Sequence, residues 1–70
     1  MKESLHIGKI IQQEMHRQGR TNKWLAEQIN CQPSTICKIY KKQYMDTYQL
    51  LNISRALSVD FFRYFSDCLC

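Results

Sequence analysis

The chain has 70 residues, of which Lys plus Arg make 10 and Asp plus Glu 6, for a formal net charge of +4, and 44% are hydrophobic. This fits one small domain over residues 1–70, with its core at about 5–66; a chain so short buries only about 60% of its unfolded surface, which leaves little room for both a core and a deep catalytic cleft. No apolar run approaches the ~18 residues of a membrane span, and the basic balance points to an anionic partner, nucleic acid ahead of a membrane surface.

The opening residues 1–6 lack the apolar stretch of a signal peptide, so a cytoplasmic protein is expected. Cysteines stand at 31, 37, 68 and 70. Their spacing does not match paired Cys-x-x-Cys zinc ligands, and no secretory signal supports a disulfide framework. Neither a metal nor a cofactor is expected. His6 and His16 have no Ser, Cys or carboxylate neighbour that suggests a triad. The carboxylates show no paired spacing, and there is no Gly-rich phosphate loop. The reading is therefore of a non-enzyme with no evident small-molecule ligand.

Two glycines and one proline interrupt the chain, and valine occurs once, a composition that favours helices over strands. The first helix is expected from about Leu5 to Gln18, where Ile7, Ile11 and Met15 form an apolar stripe with Ile10 beside them. Gly19 ends it. Thr21 is the expected N-cap of a second helix, Asn22 to Ile29, with Leu25, Ala26 and Ile29 inward. Asn30 tolerates the left-handed turn that follows. Pro33 opens the third helix, expected over about 33–42. Ile36 and Ile39, with Tyr40, form its inner face; Ser34, Cys37, Lys38, Lys41 and Lys42 line the other. The loop at 43–45 precedes Asp46, whose N-cap with Gln49 makes a capping-box pattern for a fourth helix, Thr47 to Leu57. Leu50, Ile53 and Leu57 point inward. Asp60 caps a fifth helix, Phe61 to about Asp67. Trp24 and Tyr44 are assigned to core or rim packing.

The informative stretch is Thr21–Lys42. Two short helices joined by a turn of about four residues, Asn30–Pro33, have the spacing of a helix-turn-helix. Ala26 is small where the helices cross, and the polar, basic outer face of the second suits a major groove. The run from Thr21 to Ile36, with Leu25-Ala26-Glu27-Gln28-Ile29 at its centre, resembles the helix-turn-helix of phage-repressor-like (XRE-type) regulators. Asp46-Thr47, Leu50-Leu51, Ile53, Ala56-Leu57 and Val59-Asp60-Phe61 are similar to that family's fourth and fifth helices. The resemblance spans about Ile7 to Phe65 and implies an all-α, five-helix repressor-like DNA-binding domain with a central helix-turn-helix.

By position, the resemblance implies that Gln32, Pro33, Ser34, Cys37, Lys38 and Lys41 approach bases and adjacent phosphates. Asn22 matches a position that grips a phosphate, flanked by Arg20 and Lys23. There are departures. Pro33 offers only an apolar contact where the family has a polar base reader, and Asn30 stands where Gly is common. Tyr40 replaces a Glu usually paired with a first-helix Arg. The matching first-helix position is Met15 or His16, so packing is expected in place of the ion pair, Met15 against Tyr40 being one such contact.

The function expected is sequence-specific binding of double-stranded DNA by a small transcriptional regulator. Lys38 is the first choice for base reading, with Arg20, Asn22, Lys23, Lys41, Lys42 and Gln43 on phosphates. The rival reading is a helical protein-interaction module built on the aromatic C-terminal helix. That segment also suggests a homodimer: Phe61 and a later aromatic cap the core, Phe62 points largely outward, and Phe65 and Leu69 extend the patch.

Overall fold

The computed structural model describes residues 5–69, and side chains through Ser66. It is all-α, with five helices among these residues: α1 (Ile7–Gln18), α2 (Asn22–Gln28), α3 (Pro33–Tyr40), α4 (Thr47–Leu57) and α5 (Phe62–Leu69). No helix there is long and apolar enough to cross a membrane.

One stripe of each of the first four helices builds the core. Ile7, Ile11 and Met15 come from α1, Leu25 and Ala26 from α2, Ile36 and Ile39 from α3, and Leu50, Ile53 and Leu57 from α4; Phe61 closes it, fully buried. Burial of each of these Ile, Leu, Met and Phe side chains contributes about 1.5–3 kcal/mol. Ile29 is half-buried at the edge.

The helix ends follow local chemistry. Thr21 Oγ1 accepts from Trp24 N at 3.1 Å, and Asp46 Oδ1 accepts from Gln49 N at 2.7 Å. The capping box at Asp46 is only half formed, because Gln49 Oε1 accepts from Lys42 Nζ at 3.4 Å instead. Replacing Asp46 by alanine is expected to cost about 1 kcal/mol, through the lost acceptor for the Gln49 amide. Thermal melts of the two proteins check it; an unchanged midpoint would remove the cap from the account of α4. At their C-termini α1, α2 and α4 share one device. Gly19, Asn30 and Ser58 adopt φ of 69°, 59° and 57°. The following amides reach back five residues: Arg20 N to Met15 O, Cys31 N to Ala26 O, and Val59 N to Ser54 O, at 2.9–3.1 Å. These are Schellman closures, which satisfy carbonyls that the helix end would otherwise strand.

Several expectations need correction, the smallest being that α2 ends at Gln28, with Ile29 as its C-cap. Helix α1 starts at Ile7 rather than Leu5, because His6 is its N-cap: Nδ1 accepts from Lys9 N at 3.2 Å. Helix α3 ends at Tyr40 and not near Lys42. Lys41 N and Lys42 N turn back to Lys38 O and Ile39 O in tight three-residue closures, while Ile7 N and Gly8 N of α1 take the carbonyls of Gln43 and Lys42. Helix α5 starts one residue late, after a tight first turn in which Arg63 N and Tyr64 N donate three residues back to Asp60 O and Phe61 O, and it runs to Leu69. Finally, Phe62 does not point largely outward. It is half-buried, and with Phe65 it faces Met45, Thr47 and Leu50 across an apolar groove of about 210 Å³. Phe61 stacks with Tyr64 at 6.3 Å between ring centroids. Phe62, Tyr64 and Phe65 each keep part of their surface open, while the exposed large hydrophobics among the described residues lie elsewhere, at Tyr44, Tyr48 and Leu51. The Leu69 side chain lies outside the described residues.

A side-chain chain of contacts fastens α1 to the end of α4. Gln18 Nε2 donates to Leu57 O at 3.0 Å and to Glu14 Oε2 at 2.7 Å, and Arg17 pairs with the same carboxylate. Hydrogen bonds from Arg17 and then Gln18 hold the Glu14 carboxyl below its ordinary range.

Candidate nucleic-acid interface

Helices α2 and α3 are joined through Ile29–Gln32, with the left-handed Asn30 at the bend. Ala26 is buried beneath this turn, and Ile36 and Ile39 hold α3 down by its inner face. The opposite face of α3 is therefore committed to the outside: Pro33, Ser34, Cys37 and Lys38 are all exposed, as is Lys41 at the helix's C-cap. An eight-residue helix is about 12 Å long, which suits a single crossing of a groove about 12 Å wide. No carboxylate lies on it.

The N-terminal edge of this face is made by Gln32 and Pro33. Gln32 is the N-cap residue, yet its side chain makes no capping hydrogen bond, and its exposed carboxamide is left for another partner. At the other edge, Lys42 is exposed beyond the helix and Gln43 is half-buried, its carbonyl held by Ile7 N.

The residues around the start of α2 are less simply arranged. Asn22 is half-buried and joins α2 to α3: its Oδ1 accepts from Tyr40 Oη at 2.8 Å, and its Nδ2 donates to Cys37 Sγ at 3.7 Å. Burial first, and Cys37 second, push the Tyr40 phenol above its ordinary value, so it stays a donor. Tyr40 thus gives its hydroxyl to α2, while its half-buried ring packs against the core to which Met15 belongs. The Asn22 Oδ1 is occupied; only Nδ2, held by a weak sulfur acceptor, is available for a phosphate. Arg20 is exposed, with its guanidinium carbon 4.2 Å from the centroid of the half-buried Trp24 ring, a cation–π contact. Lys23 is exposed beside it. Tyr44, expected to pack, is 61% exposed, and Tyr48 is 74% exposed. Both follow α3, where the loop and the first turn of α4 carry them away from the core.

Cys31 is half-buried in the turn and Cys37 exposed on α3, both free thiols; burial pushes the Cys31 thiol up. Cys70 and the Cys68 side chain lie outside the described residues. Among the described residues no three His, Cys, Asp or Glu side chains gather to hold a metal ion.

Sequence reasoning missed what holds the C-terminal end of α3. A Cβ on Gly8 would run into the carbonyl oxygens of Tyr40, Ile39 and Lys42, so α1 meets the last turn of α3 backbone to backbone. The available signal was a glycine inside an apolar helical stripe, which marks a close approach. Also missed was a cleft of about 490 Å³ beside this junction, lined by His6, Lys9 and Gln12 of α1 and its cap, and by Cys37, Tyr40 and Lys41. No protein-family model matches the chain, and no curated protein matches it.

Proposed function

We propose that this protein binds double-stranded DNA sequence-specifically, as a small transcriptional regulator in the cytoplasm, with α3 in the major groove. The observation that carries this reading is the outer face of α3. It is polar, basic and free of carboxylates, and it is held clear of the core by Ile36 and Ile39. The resemblance to phage-repressor-like regulators supports the same assignment. Lys38 reads a base edge, guanine O6 and N7 being its natural acceptors. Ser34 and Gln32 flank it, Pro33 and Cys37 offer apolar contact, and Arg20, Asn22, Lys23, Lys41, Lys42 and Gln43 lie along phosphates. Occupancy of an operator then changes access for polymerase.

One short recognition helix covers few base pairs. Two copies related by a two-fold axis would place their α3 helices about 34 Å apart in successive grooves. The contact between copies is assigned to α5, where the apolar groove beside Phe62 and Phe65 is open.

Selection of bound sequences from a random duplex pool, followed by titration of variants on the selected site, tests the reading. Lys38→Ala is expected to cost about 1–3 kcal/mol and to relax preference at one base pair. Lys23→Ala is expected to weaken all duplexes about equally. The same titration should give two chains per palindromic duplex. Loss of affinity in both variants with no change of preference would defeat the assignment of Lys38.

A further inference from the structure

The cleft between α1 and α3 sets His6, Lys9 and Gln12, which the DNA reading leaves unused, beside Cys37 and Lys41, which it uses. Its lining residues come from both helices: His6, Lys9 and Gln12 on one wall, Cys37, Tyr40 and Lys41 on the other. No carboxylate is among them. Lys9, Gln12 and Lys41 are exposed. His6 Nδ1 accepts from Lys9 N, so the ring carries its proton on Nε2, as a donor. The Tyr40 hydroxyl is turned to Asn22. The residues of the lining therefore carry two ammonium groups, an imidazole N–H and a carboxamide. That set suits an oxygen-rich anion.

The start of α1 is not itself the binding group. Ile7 N and Gly8 N donate to Gln43 O and Lys42 O, Lys9 N to His6 Nδ1, and Ile10 N to His6 O. All four leading amides are taken, so any anion here is held by side chains.

Position decides which anion. Cys37 and Lys41 line the cleft and also lie on the outer face of α3, one turn apart. A duplex lying along that face would pass its sugar–phosphate backbone over the cleft mouth. We propose that this cleft is a phosphate seat for the DNA backbone at the C-terminal end of α3, with Lys9 and Lys41 as its cations and His6 and Gln12 as donors. The inference rests on the DNA-binding reading and adds α1 to the contact surface. The seat fixes how α3 lies along the groove without reading a base.

Fluorescence anisotropy with the selected duplex, over a range of salt, tests it together with phosphate-ethylation interference. Lys9→Ala should reduce the slope of log K against log[salt] by about 0.9 and weaken binding about eightfold at 0.1 M salt. Base preference and helix content should not change. Ethylation of one backbone phosphate that hinders the wild type should no longer hinder Lys9→Ala. Inorganic phosphate at constant ionic strength should not displace the duplex. A Lys9→Ala slope and ethylation pattern equal to wild type, while Lys38→Ala still alters preference, overturns the seat and leaves the DNA reading standing. Displacement of the duplex by millimolar inorganic phosphate from wild type, and not from Lys9→Ala, makes a free anion the ligand and also overturns it. A wild type that binds no duplex at any salt overturns the DNA reading and the seat with it.

Discussion

Gly8→Ala is expected to destabilise the protein by about 3–5 kcal/mol, although alanine is the better helix former by about 1 kcal/mol. The added Cβ would lie 2.5 Å from Ile39 O and 2.6 Å from Lys42 O, and closer still to Tyr40 O. All three atoms are backbone, so no side chain can rotate away. To make room, α1 must lift off the last turn of α3. That lift stretches the Gly8 N to Lys42 O bond of 2.9 Å and the Ile7 N to Gln43 O bond of 3.0 Å. Overpacking of this kind costs about 1–3 kcal/mol, and each buried polar group left unpaired a similar amount. Domains hold only about 0.05–0.15 kcal/mol per residue, so a loss of this size is a large part of the whole for so short a chain. Urea unfolding followed by helix ellipticity measures it. A midpoint equal to or above that of wild type would mean helix propensity wins and the junction is not tight. The junction also sets the end of α3, so DNA affinity should fall with stability, Lys38 and Lys41 being carried on the last turn and its cap.

The second large effect is on DNA affinity. Arg20, Lys23, Lys38, Lys41 and Lys42 are exposed on or beside the proposed interface, and Lys9 faces the cleft next to it. With Lys38 on a base edge and the other five cations on phosphates, log K should fall with log[salt] with a slope of about −4.5, at −0.9 per contact. Raising salt from 50 to 200 mM would then weaken binding roughly 500-fold, nearly 4 kcal/mol. Anisotropy titrations on one duplex across that range read the slope directly. Affinity that stays flat would remove the electrostatic basis of the proposal. A slope near −2 would confine phosphate contact to a pair of lysines. The Arg20 guanidinium is already restrained by its place over Trp24, so it loses less freedom on meeting a phosphate than an unrestrained side chain would.

Periodicity and capping chemistry are properties of short windows, and they were legible directly. The stripe Ile7, Ile11, Met15 and the inward set Leu50, Ile53, Leu57 identify buried faces because a helix repeats every 3.6 residues whatever it packs against. Thr21, Asp46, Gly19 and Asn30 mark helix ends because caps and left-handed turns depend on the residue and its immediate neighbours. The all-α class, the α2–turn–α3 pair and the outward face of Ser34, Cys37 and Lys38 follow from these local rules. What depended on contacts distant in sequence was not legible. Helix α3 stops at Tyr40 because α1, more than thirty residues earlier, supplies the amides that take Lys42 O and Gln43 O. Phe62 turns partly inward because Met45 and Leu50 stand where its ring can reach them. Asn22 gives its oxygen to Tyr40, and Gln49 leaves its cap for Lys42. Each of these choices was made by a partner brought close only when the helices packed. A polar or aromatic side chain with several good local options takes the one that tertiary structure places within reach.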